Sequence, residues 1–537
     1  MAGPGEPAQR HAALDERPVP ARRTKRAHTV FPATETASPA DGKGSITETI
    51  KASYEAFRYL SHPCPTSQPA RIATIAALMG VDAPDPATAR VLEIGCGDGG
   101  NLVPMAAATP RGRFVGIDIA TRPIADAKAW AADLGLSHVS FLAGDLRDLP
   151  SDLGPFDYVV AHGFHSWVPA EVRVVLFETL RARLAPEGIA FVSHNVMPGC
   201  ALRGIAWSVL RPHVAGIDDP ARKIAEARAM ATRMADAMAG QPGLAAALAG
   251  EFREVAGRQD FAMLHDDLAP LNHPVLLRDI AAEGEAHGLA WLADADIHRH
   301  AAPAFGEAMN AWLASADRMT REHVIDHLRL RRYRESLFVH RAKGTGSPAS
   351  AERLATMHVG ASNDSVERHA SLPRGPGAGD RSPVAVQRML LDRLVELHPA
   401  SVPVAEAVSW IAARSGPGSM LAQPANALRL LMNACYAGAF VPFAWPVQCA
   451  RTPGARPRAF GPARWQAPRL EFVVNLRHDG VVFSDPMHRR LLPLVDGTRT
   501  RDELAAALAT IAPGRGDPAR LLGDCLDHFA RIGLLEA

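Results

Sequence analysis

Val91-Leu92-Glu93-Ile94-Gly95-Cys96-Gly97-Asp98-Gly99-Gly100-Asn101 is an apolar run that passes into a glycine-rich turn and then into a helical pattern. Glycines there let the backbone approach a ligand closely at a helix N-terminus. Outward from this stretch, short apolar or β-branched runs at Phe114–Ile117, Val139–Leu142, Tyr158–Ala161 and Ile189–Ser193 alternate with helical stretches. That βαβ rhythm predicts an α/β, Rossmann-like, doubly wound parallel sheet over residues 46–201.

The remaining sequence is too long for one ordinary core, 537 residues suggesting about three domains. Residues 1–45 mix Pro, Ala and charge, including Arg22-Arg23-Thr24-Lys25-Arg26, and are expected to form a disordered, solvated arm. Residues 202–341 are Ala-rich with no strand-like alternation, so a helical domain is expected, with Met230, Met234 and Met238 as a packed stripe. A Gly/Ser/Pro/Arg-rich stretch at 342–382 reads as a linker. Helical patterns followed by strand-like Leu470–Asn475 and Gly480–Phe483 over residues 383–537 suggest an independently folding, winged-helix-like α+β domain. Within it, Thr500 and Glu503 have the spacing of a helix capping box.

Fifty-eight basic against 57 acidic residues leave a net charge of +1, which exerts no global pull on nucleic acid or membranes. Eight arginines against three acids between Arg451 and Arg490 form a local basic stretch, most simply a solvated face. The six cysteines are scattered without a C-x-x-C pair, and no run of about eighteen apolar residues occurs. A cytoplasmic protein without a metal site or a membrane span is expected.

Gly95-x-Gly97-x-x-Gly100 satisfies the dinucleotide fingerprint, with Asp118 where that pattern expects a ribose-binding acid. The turn alone leaves a nicotinamide dinucleotide and S-adenosylmethionine both open. Glu93, two residues before the first glycine, suits a ligand bearing an ammonium group. Asp145, at the end of the third strand run, is placed to accept a hydrogen bond from an adenine amino group. Phe156-Asp157-Tyr158-Val159-Val160-Ala161-His162-Gly163 is a fourth strand ending in a polar loop at the same edge.

As a set, these features resemble the class I methyltransferases. The resemblance implies S-adenosylmethionine as cofactor, with the glycine turn around its amino-acid moiety, Asp118 on the ribose and Asp145 on the adenine. The cofactor-binding candidates are Glu93, Gly95, Cys96, Gly97, Gly99, Asn101, Asp118, Ile119, Asp145, Leu146 and His162.

Beyond this core the chain is similar to methyltransferases that carry a methyltransferase regulatory domain, among them rickettsial-type lysine methyltransferases acting on outer-membrane proteins. The likeness is carried by Tyr54-x-x-x-x-Tyr59-x-Ser61-His62-Pro63, His162-Gly163-x-x-Ser166-Trp167-Val168-Pro169 and His194-Asn195-x-x-Pro198-Gly199. It continues through Phe261-x-x-Leu264-His265-Asp266-x-Leu268 and Arg331-Arg332-Tyr333-Arg334. The chain departs from the family at His165, where a Tyr is usual, at Cys200 and at Thr66-Ser67-Gln68. The resemblance implies a protein lysine as acceptor, with a small molecule as the alternative. A non-catalytic regulator built on a degenerate methyltransferase fold is a third reading, opposed by the intact glycine turn, Asp118 and Asp145. Candidate catalytic residues are His165, His162, Trp167 and Tyr54, because a lysine must lose a proton before it attacks a methyl group.

Overall fold

Each of the five apolar runs forms a strand of one sheet: β1 (Arg90–Ile94), β2 (Arg113–Asp118), β3 (Val139–Ala143), β4 (Phe156–Ala161) and β5 (Leu184–Asn195). The computed structural model describes residues 45–537 apart from 301–304, 345, 370, 372–378 and 417. The expected arm lies outside the described residues except for Ser45, which caps the helix Ile46–Ala56.

Two further strands complete the sheet, β6 (Leu289–Asp294) and β7 (Tyr333–His340), in the order β3-β2-β1-β4-β5-β7-β6. The first five pair in parallel, while β7 runs antiparallel between β5 and β6. The order reverses between β1 and β4, and in open α/β sheets a ligand crevice lies at such a switch point, outside the strands' carboxyl ends.

These two strands correct the expectation of a purely helical segment at 202–341. Helices do occupy Cys200–His213, Pro220–Ala237 and Leu244–Ala256, with Met230, Met234 and Met238 packed against their shared core. β7 escapes a periodicity reading because both of its faces are covered and it carries charges inward. Arg334 is fully buried there, its guanidinium 2.8 Å from Asp326, 2.9 Å from Glu322 and 3.5 Å from Asp294. Three carboxylates make burial of that cation tolerable.

The linker at 342–382 and the domain boundary at 383 are also corrected. Residues 342–382 contain the helix Ala351–Leu354 and the strand β8 (His358–Ala361), which pairs with β9 (Val402–Pro403) and β10 (Phe440–Phe443). The helices Pro383–Leu397, Val404–Ser415 and Pro424–Tyr436 share one continuous core with the helix Pro69–Leu78 and the methyltransferase-like sheet. Apolar side chains of this region needed a partner, and the amino-terminal helix supplies it. Across the same boundary Arg71 donates to the Pro442 carbonyl (3.2 Å) and the Ala444 N–H donates to Thr74 Oγ1 (3.0 Å).

A separate core joins the helices after residue 460 with the hairpin β11 (Phe472–Val474) and β12 (Gly480–Val482). The capping box forms at the helix Arg501–Ile511, Thr500 Oγ1 accepting from the Glu503 N–H and the Glu503 carboxylate from the Thr500 N–H. Of the arginine-rich stretch, Arg477 is buried and Arg464 and Arg489 are half-buried, each donating to a backbone carbonyl, while the other five arginines are exposed as a solvated face. Among the described residues no helix is long and apolar enough to cross a membrane.

Candidate active site

The carboxyl ends of β1, β2, β3 and β4 open onto one cavity of about 1430 Å³, counting its mouth. Gly95 (φ +74°) and Gly97 (φ +53°) turn the chain sharply after β1, and any Cβ there would also strike Phe164 or Ser61. The turn is pinned to the next strand, since the Gly95 N–H donates to the Ile117 carbonyl (2.8 Å) and the Gly97 N–H to Asp118 Oδ2 (2.9 Å).

Three acids face the cavity in different states. Glu93 is buried, its Oε1 accepting from Asn101 Nδ2 (2.7 Å), while Oε2 has no hydrogen-bond partner among the described residues. Burial pushes its carboxyl up to about 7, against the pull of the Asn101 amide. Asp118 is used twice by the backbone, Oδ1 accepting from the Ala120 N–H (2.9 Å) and Oδ2 from Gly97, and burial raises its pKa. Asp145 starts the short helical turn Leu146–Asp148 and accepts from Arg147 through both oxygens, which lowers its pKa.

Among the cofactor candidates, Cys96, Asn101, Ile119, Leu146 and His162 also line the cavity. Gly99 does not. A Cβ at Gly99 would lie 3.0 Å from Val103 and 3.1 Å from Ala127, so its place is a close helix contact.

Tyr54, His162 and Trp167 line the same cavity, but His165 does not. In the turn His165–Trp167 the side chains divide, and His165 points back into the core, fully buried, with Nε2 3.2 Å from Glu283 and its ring edge-on to Phe177. Its expected catalytic role is therefore corrected to a packing one. His162 is held by Nδ1, 3.3 Å from Ser193 Oγ and 3.2 Å from the Tyr333 hydroxyl, and burial lowers its pKa. The Trp167 indole N–H is buried without a partner among the described residues.

Sequence reasoning assigned no role to Tyr59, His62 or Asp266, which also line the cavity, or to Ser193 and Tyr333 behind His162. Asp266 arrives on a π-helical turn, Met263–Asp267, whose His265 ring stacks on Tyr54 (4.4 Å, 9°). Burial raises the Asp266 carboxyl to about 6, opposed by Arg258 at 2.9 Å. The signal for Asp266 lay in its motif, but its meeting with Tyr54 is a tertiary fact.

Family models match in three places: a methyltransferase domain at residues 91–188, a methyltransferase regulatory domain at 259–340, and the winged helix domain found at the carboxyl terminus of PKMT at 455–514. The chain belongs to the S-adenosylmethionine-dependent methyltransferases.

One uncharacterized protein of Rickettsia prowazekii is 29% identical to this methyltransferase over 308 residues, which is 56% of this chain and 55% of that protein. A second from the same organism is 30% identical over 228 residues, covering 42% of this chain and 91% of its own. The solved structure of PKMT2 from Rickettsia typhi in complex with AdoHcy superposes with a TM-score of 0.79 at 20% identity, over 89% of this chain and 99% of that one. That superposition establishes a shared fold. The cofactor's chemistry fits the donor set of the cavity, since the unpartnered Glu93 oxygen suits an ammonium group and the strand-end acids suit hydroxyl and amino donors.

Proposed function

We propose that the methyltransferase modifies lysine side chains of a protein acceptor. One observation carries the reading: Asp266, Tyr54 and Tyr59 line the same cavity as the glycine turn and Glu93. A carboxylate ionised at neutral pH beside aromatic rings attracts an alkylammonium chain through charge and cation–π contact. The name of the rickettsial neighbour agrees with this class of acceptor.

When bound, S-adenosylmethionine supplies an electrophilic methyl group on a sulfonium centre. In this assignment Glu93 holds the cofactor's ammonium, Asp118 its ribose hydroxyls and Asp145 its adenine amino group. Asp266 and the two tyrosines receive the lysine, and Trp167 offers its free N–H to the acceptor. His162, neutral at pH 7 because burial lowers its pKa, takes the proton that the lysine must lose. Ser193 and Tyr333 fix the ring for that transfer.

Transfer of a tritiated methyl group from the cofactor into a cell lysate tests the acceptor. Label recovered on lysine ε-nitrogens of proteins is expected. Label confined to the small-molecule fraction would replace this reading with the small-molecule alternative.

A further inference from the structure

The hairpin between β11 and β12 reaches back to the cofactor end of the cavity. His478, at its tip, is 2% exposed, and its Nε2 lies 2.8 Å from Asn101 Oδ1. Asn101 is the residue whose Nδ2 donates to Glu93 at 2.7 Å. We propose that His478 is a positioning residue of the cofactor site: it fixes the Asn101 amide, which fixes the Glu93 carboxylate that receives the cofactor's ammonium.

The orientation of Asn101 follows from obligatory donors. The Cys64 backbone N–H approaches Asn101 Oδ1 at 2.9 Å and has only a hydrogen to offer. That oxygen is therefore the acceptor, His478 Nε2–H donates to it as well, and the amide's N–H2 end is turned toward Glu93 and Ser67 Oγ (3.0 Å). Asn101 occupies the N-cap position of the helix Leu102–Ala108, yet its side chain caps no helical N–H. The capping capacity usual for Asn is diverted to Glu93. Because Oε1 of Glu93 is occupied in this way, the oxygen left without a partner among the described residues is Oε2.

His478 is itself built to stay in place. Its backbone is left-handed (φ +66°) in a turn closed by Asn475, whose Oδ1 accepts from the N–H groups of Arg477 and Asp479, both at 2.9 Å. Arg477 ties the turn to the Ala361 carbonyl (3.1 Å). Burial lowers the His478 pKa to about 3, so the ring stays neutral at physiological pH and its Nε2–H does not depend on small pH changes. Titratable groups facing Glu93 are His162, Asp118, Asp98, Cys64 and Cys96, while the Asn101 amide hydrogen-bonds to Glu93, Ser67, the Cys64 N–H and His478.

The test uses the full chain with two probes, S-adenosylhomocysteine and 5′-methylthioadenosine, which keeps the adenine and ribose but lacks the amino-acid moiety. His478→Gly removes the donor, and glycine accepts the positive φ without strain. Calorimetry should show the affinity of H478G for S-adenosylhomocysteine reduced about tenfold, with 5′-methylthioadenosine unchanged, and His478→Gln, whose amide also has a donor four bonds from Cα, should restore most of the loss. Equal weakening of both probes, or no weakening in a folded H478G, overturns the relay. If circular dichroism finds H478G unfolded, His478→Met, which fills the volume without a donor, gives the same comparison. The inference rests on Glu93 as partner of the ammonium. A Glu93→Gln variant that binds S-adenosylhomocysteine like wild type overturns that assignment and the relay with it, whereas a weakened E93Q beside an unaffected H478G overturns the relay alone.

Discussion

The cavity has two ends that differ in how the chain builds them. The residues proposed for the cofactor, Glu93, Gly95, Gly97, Asp118 and Asp145, come from consecutive strand ends of the parallel sheet. The residues proposed for the acceptor, Tyr54 and Tyr59, His162 and Trp167, and Asp266, come from segments far apart in sequence. Repeated βα units deliver one end as a local motif, and only the complete tertiary structure delivers the other. Yet even the cofactor end is not autonomous, since the His478–Asn101 contact spans 377 residues.

The sharpest way to break this comparison is to remove the carboxyl-terminal region. A chain ended at His340 exposes the apolar face of the helix Pro69–Leu78 and loses the partners of the shared core. It is expected to give neither a cooperative melt nor S-adenosylhomocysteine binding, measured by circular dichroism and calorimetry. Near-native binding by that fragment would make the cofactor end a separable domain after all.

Glu93 gives the next largest effect through pH. Its folded carboxyl sits at about 7 against an ordinary 4.5, so ionisation is disfavoured in the folded ligand-free protein. Stability of that form should fall by about 3 kcal/mol as pH rises from the ordinary value to 7, then level off. Glu93→Gln should flatten that slope in urea titrations across pH. S-adenosylhomocysteine, whose ammonium favours the ionised carboxylate, should bind wild type more tightly as pH rises through the same window.

Asp118→Ala should cost about 2 kcal/mol of stability together with cofactor affinity, because the N–H groups of Gly97 and Ala120 lose their acceptor. Thermal melts and calorimetry check both losses. An affinity change with no shift in melting temperature would return Asp118 to a purely ligand-binding role.

At the acceptor end, Asp266→Asn should raise KM for a lysine-bearing protein about tenfold while leaving S-adenosylhomocysteine affinity unchanged. Steady-state kinetics on an identified acceptor reads the first quantity, and calorimetry the second. A parallel loss of both would merge the two ends into one functional unit.

The same contrast explains what was legible in the sequence. Glu93, the glycine turn, Asp118 and Asp145 were readable because short strands of β-branched residues fix where each strand ends, and chemistry gathers at those ends. β7 was not, because its inward Arg334 needs Asp294, Glu322 and Asp326, an arrangement that no alternation reports. His165 misled because a turn residue beside a strand end faces either the cavity or the core, and the choice depends on Glu283 and Phe177 arriving from two separate helices. The stretch at 342–382 read as a linker because its Gly, Ser and Pro content hides β8, a short strand held by its pairing with β9 and β10.

The place of β7 between β5 and β6 also sets an order of assembly on the ribosome. When Asn195 has emerged, the parallel half of the sheet is synthesised, but Tyr333, which steadies His162, is still 138 residues from being made. The hairpin carrying His478 follows later still. Sites completed by such long-range pairing form only after extensive chain closure. A nascent or prematurely terminated chain therefore carries the glycine turn and the strand-end acids without Tyr333 beside His162 or His478 beside Asn101.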